Sequence, residues 1–199
     1  MTLAERLRAS LLLPPPPDLL AGDIPEDPAV ALRDAAVLVA VTRRAEPGVL
    51  LTVRREHLRT HAGQIAFPGG RIDPEDSGPA AAALREADEE IGLPLSEVEL
   101  WGHADPYRTI TGYRVTPVLG SVLPDLPLAP HEDEVADWFE APLAFLLDPA
   151  NQRAVEVEYQ GRMRNYYQID WQGRRVWGAT AAMLVNLTRR LHRMEVRWS

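Results

Sequence analysis

A chain of 199 residues with 46% apolar side chains is long enough to bury one substantial core. It has no cysteine, which excludes disulfides and any thiolate metal site and fits a reducing cytoplasm. A net charge of -8 argues against a general nucleic-acid surface, and no apolar run reaches the length of a membrane span, so neither nucleic acid nor membrane is an expected partner.

Residues 1–30 read as an N-terminal arm and residues 31–199 as one domain. Thr2 to Leu13 predicts a short amphipathic helix, with Thr2 and Glu5 spaced as a capping box. Pro14 to Pro17 stops it, and Leu11 to Leu13 is too short for a secretory core. Gly22 to Pro28 is a loop rich in acid and proline. Ala35 to Arg43 (AAVLVAVTR) is nearly all apolar, which predicts a strand covered on both faces. Glu46-Pro47-Gly48 is a turn, and Val49 to Arg54 returns as the second strand of a hairpin.

Arg54, Arg55 and Arg59, with His57 and His61, crowd the stretch before the glycine pair Gly69–Gly70. In an acidic chain this is a candidate anion site; the alternative is a solvated loop whose arginines pair with nearby acids. A short acidic loop follows, then a helix. Pro79 suits its first position, Asp76 or Ser77 its N-cap, and Gly92 followed by Pro94 its end. Glu86, Glu89 and Glu90 fall at i, i+3 and i+4, on one face, where like charges disfavour the helix. A hard cation with oxygen ligands, Mg²⁺ or Mn²⁺, would offset that repulsion, and Arg85 can hold one carboxylate in a bidentate pair. The bland alternative is an acidic, solvated helix face.

Gly70, Arg85, Glu86, Glu89, Glu90, Gly92 and Leu93 resemble the signature of Nudix hydrolases, which cleave nucleoside diphosphates linked to another group. That pattern is Gly-x5-Glu-x7-Arg-Glu-apolar-x-Glu-Glu-x-Gly-apolar. Counting forward from Gly70, its first glutamate falls on Asp76; counting back from Arg85, it falls on Ser77, so the loop is one residue longer. Upstream, Leu50-Leu51-Thr52-x-Arg54, Arg59, Gly63 and Phe67-Pro68-Gly69-Gly70 are similar to the motif of the coenzyme A pyrophosphatase branch, with Arg55 where serine or alanine is expected.

Val98 to Ala104 predicts a strand, Asp105 to Thr111 a loop, and Tyr113 to Leu123 a strand placed at an edge or bulged by Pro117. His131 to Asp137 is an acidic loop, Trp138 and Phe139 begin an apolar strand end, and Leu143 opens a short helix. Residues 154–159, 163–170 and 174–177, with Gly161 and Gly173 at the turns, predict a meander. A final helix runs to about Met194, and its Arg189, Arg190, His192 and Arg193 read as dipole complement and solubility.

The resemblance implies a Nudix-type α/β/α sandwich with a mixed β-sheet, the signature helix packing through Ala83, Leu84 and Ala87. It implies metal-dependent hydrolysis of coenzyme A, and of its acyl or oxidised forms, to 3′,5′-ADP and 4′-phosphopantetheine. Another nucleoside diphosphate derivative such as ADP-ribose, and a non-catalytic nucleotide-binding module, remain the alternatives. Glu86, Glu89, Glu90 and the Gly70 carbonyl are the implied metal ligands. Arg85 and Glu134 join those three acids as catalytic candidates, Glu89, Glu134 or a metal-activated water being the base and Glu132 a further loop acid. Arg54, Arg59, Gly63, Phe67, Gly69 and Gly70 are the implied substrate contacts.

Overall fold

The strand Arg33–Thr42 (β1) sends alternate residues to two different cores. Val39 and Val41 join one cluster; Ala36, Leu38 and Ala40 join the other. Period-two alternation with both faces apolar requires a layer on each side of the sheet, and the chain supplies both. The protein is described here from a computed structural model, which covers residues 1–23, 31–55, 63–159 and 162–198, without the side chains of 159, 162 and 195–198.

In chain order the elements are α1 (Leu3–Ser10), β1, β2 (Gly48–Arg54), β3 (Ile65–Ala66), β4 (Gly69–Arg71), α2 (Pro79–Ile91), β5 (Val98–His103), β6 (Tyr107–Arg108) and β7 (Tyr113–Val122). They continue with β8 (Val135–Pro142), α3 (Leu143–Leu146), β9 (Arg153–Tyr159), β10 (Arg162–Trp171), β11 (Arg174–Trp177) and α4 (Ala179–Trp198). Among the described residues β1 to β8 form one mixed sheet and β9–β10–β11 a separate meander. β1 runs parallel to β7, from Arg33 opposite Tyr113 to Thr42 opposite Val122, and antiparallel to β2 and β4. The predicted α/β/α sandwich is present. Helix α2 covers one face through Ala82, Ala83, Ala87 and Ile91; α4 covers the other through Ala181, Leu184, Leu187 and Leu191. Among the described residues no helix is long and apolar enough to cross a membrane.

The β1–β2 hairpin, the meander and the Thr2 capping box of α1 agree with the sequence expectation. Three expectations are corrected. The Pro117 strand is not at an edge: β7 lies between β1 and β5. The Pro117 carbonyl accepts from the Ala104 N–H at 2.9 Å, and N and C=O of one strand residue point the same way. The missing N–H therefore falls where β5 has ended and β6 has not begun, so no ladder bond is lost. The N-cap of α2 is Gly78, with no side-chain cap bond, instead of Asp76 or Ser77. The basic tail of α4 is more than surface charge. Arg190 is 5% exposed and donates to both carboxylate oxygens of Asp105, at 2.5 and 2.8 Å. Its remaining nitrogen donates to the carbonyls of Ser10 and Leu13, at 2.9 and 3.1 Å. Asn186, one turn earlier, exchanges two hydrogen bonds with the Leu20 backbone, both at 2.9 Å. These bonds and the buried Leu7 hold residues 1–23 onto α4.

Candidate active site

Gly69 is a steric requirement of this packing, and Gly70 leaves room for an acid of the next helix. Gly69 has φ +155°, and a Cβ there would overlap the backbone of Ala36 and Val37 in β1. A Cβ on Gly70 would overlap the Glu86 carboxylate, so the main chain of β4 lies directly against the acidic end of α2. Small alanines let α2 approach the sheet that closely.

Arg85 organises the acids. It is gripped by Asp76 through Nε at 3.2 Å and Nη2 at 3.0 Å, the bidentate pair that its neighbourhood favours. It also donates to Glu86 at 3.0 Å, to Glu89 at 2.9 Å and to the Arg71 carbonyl at 3.1 Å, and lies 3.4 Å from Asp73. One guanidinium thus faces four carboxylates. Asp76 also accepts from the Asp73 N–H at 2.9 Å, closing the acidic loop, and the hydrogen bonds from Arg85 and from that N–H hold its carboxyl below the usual value.

Glu90 is set apart from the other two glutamates. Sequence spacing places all three acids on one open face, yet Glu90 is 4% exposed while the Glu89 side chain is 59% exposed. Glu90 accepts from the Gly69 N–H at 3.2 Å, and Arg54 stands 3.7 Å away. Burial pushes its carboxyl up to about 7, against the pull of Gly69 and Arg54. Burial also raises Glu86, and the negative charge of Glu134 adds to both shifts. Of the two loop acids, then, Glu134 is the one whose field reaches the helix acids. Its loop is tied to the helix end: His131 N–H donates to the Glu90 carbonyl at 2.8 Å, and Arg55 N–H to the Glu134 carbonyl at 3.1 Å.

The other expected contacts fall as follows. Gly63 N–H donates to the Arg54 carbonyl at 3.1 Å and Arg54 N–H to the Gln64 carbonyl at 2.9 Å, so the start of the glycine-pair segment is laced to the end of β2. Phe67 is 2% exposed in the core beside α4, where it anchors the glycine turn from beneath. Arg59, His57 and His61 lie outside the described residues. Asp73 and Asp76 as partners of Arg85 were missed in the sequence reading; an acidic loop preceding a helix with one arginine among its acids was the available signal.

The donor set suits a hard divalent cation: oxygen only, in excess of the local positive charge, and with two carboxyls raised chiefly by burial. Among the described residues no three His, Asp or Glu side chains converge as a ready cage. Glu86 and Glu89 are each turned onto Arg85 through one carboxylate oxygen, which leaves the second oxygen of each for an ion.

Comparison with known proteins bears on the same stretch. A family model described as NUDIX domain matches residues 32–159. A protein of Escherichia coli (strain K12) named "Uncharacterized Nudix hydrolase NudL" is 46% identical over 155 residues, which cover 78% of this chain and 81% of that protein. Its namesake from Shigella boydii serotype 4 (strain Sb227) matches to the same extent. Among solved structures, the Nudix hydrolase RenU from M. smegmatis is similar over 57% of this chain and 73% of its own, at 24% identity and a TM-score of 0.49.

Proposed function

The chain belongs to the Nudix family, hydrolases of the pyrophosphate bond in nucleoside diphosphate derivatives, and from that premise we propose that its substrate is coenzyme A. The products are then 3′,5′-ADP and 4′-phosphopantetheine, one water being consumed. The observation that carries the choice of substrate is the run from Leu50 to Gly70, whose spacing resembles the coenzyme A branch and whose two ends meet at the acids. Arg54 reaches Glu90 from one end, and Gly69 and Gly70 touch Glu90 and Glu86 from the other.

Glu86, Glu89 and Glu90, with the Gly70 carbonyl, would hold Mg²⁺ or Mn²⁺, which supplies charge neutralisation and Lewis acidity to a dianionic diphosphate. Arg54 and Arg59 bind phosphate oxygens, arginine giving two parallel hydrogen bonds where lysine gives a point charge. Arg85 keeps Glu86 and Glu89 on the same side of the helix until substrate and cation arrive. Glu134 or Glu89, both solvent-accessible, accepts the proton of the attacking water.

A product assay on coenzyme A, dephospho-coenzyme A, ADP-ribose and NADH with Mg²⁺ or Mn²⁺ tests the reading. Coenzyme A should give the highest kcat/KM, and Arg59→Ala should shrink its advantage over dephospho-coenzyme A. Equal treatment of those two substrates by the wild type, or a preference for ADP-ribose, overturns the assignment.

A further inference from the structure

A hollow of about 350 Å³ opens between the β2–β3 edge of the main sheet and the β10–β11 turn. Small-molecule sites begin at roughly 300 Å³, so it is large enough to hold part of a ligand. Val53, Gly63 and Ile65 form one wall; Arg174, Arg175 and Trp177 form the other. None of the second group entered the site described above.

The two walls have different chemistry. Arg174 is committed to the fold: it donates to Asp137 at 3.0 Å and lies 4.1 Å from the centre of the Phe139 ring. Arg175 is exposed and lies 5.4 Å from the centre of the Trp177 indole. That indole is half-buried and braced edge-on by Tyr166, at 5.7 Å and 66°. A fixed indole carrying a guanidinium is a stacking surface for a flat, electron-rich ring, and the cation adds attraction for a phosphate next to that ring. In a chain of net charge -8, Arg175 adds a positive charge to this hollow, Arg174 being balanced by Asp137.

The hollow is joined to the acids through the backbone. Gly63 lines it, and the Gly63 N–H bonds the Arg54 carbonyl; the Arg54 guanidinium stands 3.7 Å from Glu90. Val53 and Ile65 face the α4 side of the sheet while Arg54 turns toward α2. A ligand touching both must therefore reach from one face of the sheet to the other. A diphosphate with a bulky group on each side extends in two directions from the acids, and of the two ends of coenzyme A only the nucleoside is a flat ring.

We propose that this hollow receives the base of the substrate's nucleoside, stacked against Trp177 and Arg175. The proposal rests on the reading that the α2 acids cleave a nucleoside diphosphate derivative. Calorimetric titration of 5′-AMP, 3′,5′-ADP and 4′-phosphopantetheine into wild type, Trp177→Ala, Trp177→Phe and Arg175→Glu tests it. Loss of one base–aromatic stack should weaken both nucleotides about 5- to 150-fold in Trp177→Ala, with recovery in Trp177→Phe and an intermediate loss in Arg175→Glu. 4′-Phosphopantetheine should not respond, and in turnover KM should rise more than kcat falls. Unchanged nucleotide affinity in Trp177→Ala overturns the proposal. Should Trp177→Ala not fold, unchanged affinity in the exposed Arg175→Glu does so instead. If coenzyme A is not hydrolysed but 5′-AMP binding depends on Trp177, the substrate assignment fails and the hollow stands. If coenzyme A is hydrolysed and no nucleotide responds to Trp177, the hollow fails and the assignment stands.

Discussion

Arg85 and Arg190 solve opposite problems with the same side chain. Arg190 is buried and charge-balanced: one carboxylate and two backbone carbonyls take four of its five N–H donors, and its charge is matched by Asp105. Arg85 is part-exposed and outnumbered: Asp73, Asp76, Glu86 and Glu89 all lie within 4 Å of it, and Glu90 is buried one turn beyond Glu86. The first cluster is closed, and adding an ion to it gains nothing. The second is short of positive charge, and a cation relieves it. Surplus charge with access to solvent, more than the presence of ion pairs, separates the candidate chemical site from the structural clasp.

The comparison breaks most visibly at Arg190. Arg190→Met leaves Asp105 buried without a partner and frees the carbonyls of Ser10 and Leu13. The expected cost is about 3–5 kcal/mol of stability, read by urea denaturation, with turnover per folded molecule unchanged. A loss of turnover at unchanged stability would put Arg190 in the wrong class. Glu86→Gln and Glu90→Gln should do the reverse, cutting kcat roughly 10²–10³-fold with little change in melting temperature. Glu90→Gln is expected to fold well because burial already disfavours the Glu90 charge. Near-wild-type turnover in either variant would contradict the assignment of surplus charge to chemistry.

The difference between the clusters also explains what the sequence could reveal. Glu86, Glu89 and Glu90 were legible because helical spacing is local: three, then four residues put them on one face. Their unequal depth was not legible, since it depends on Gly69 of β4 approaching the last turn of α2. Arg190 was misread for a similar reason. Asn186 and Arg190 share a face at i, i+4, but periodicity cannot say that residues 10, 13 and 20 of the chain cover that face. Pro117 reads as marking an edge or a bulge because its missing N–H must avoid a ladder bond; a gap between two short partner strands does that as well as either. The apolar run of β1, covered on both faces, and the near-neighbour turns of the meander are local features, and both are legible.

Asp76 sharpens the boundary between the two classes, with a smaller effect. It grips Arg85 and closes the acidic loop, so Asp76→Ala should lower the melting temperature by a few degrees and kcat by about tenfold or less. A collapse of kcat equal to that of Glu90→Gln would make Asp76 a member of the chemical set. The smallest effect is its pH dependence. Because the folded state holds the Asp76 carboxyl below its ordinary 3.8, its contribution to stability is present above that value and fades as pH falls through the lowered one. The difference in urea midpoint between wild type and Asp76→Asn should therefore be full near neutrality and shrink in acid; a difference that grows in acid would reverse the assigned sign.

The central claim is that the acids around Arg85 are short of a cation and hydrolyse a pyrophosphate once they have one. Turnover of coenzyme A, followed as release of 3′,5′-ADP, can be measured before EDTA treatment, after it, and after restoring Mg²⁺ or Mn²⁺. The account predicts that activity falls to background in EDTA and returns with either ion in the wild type, but not in Glu86→Gln. Full turnover in EDTA would contradict it.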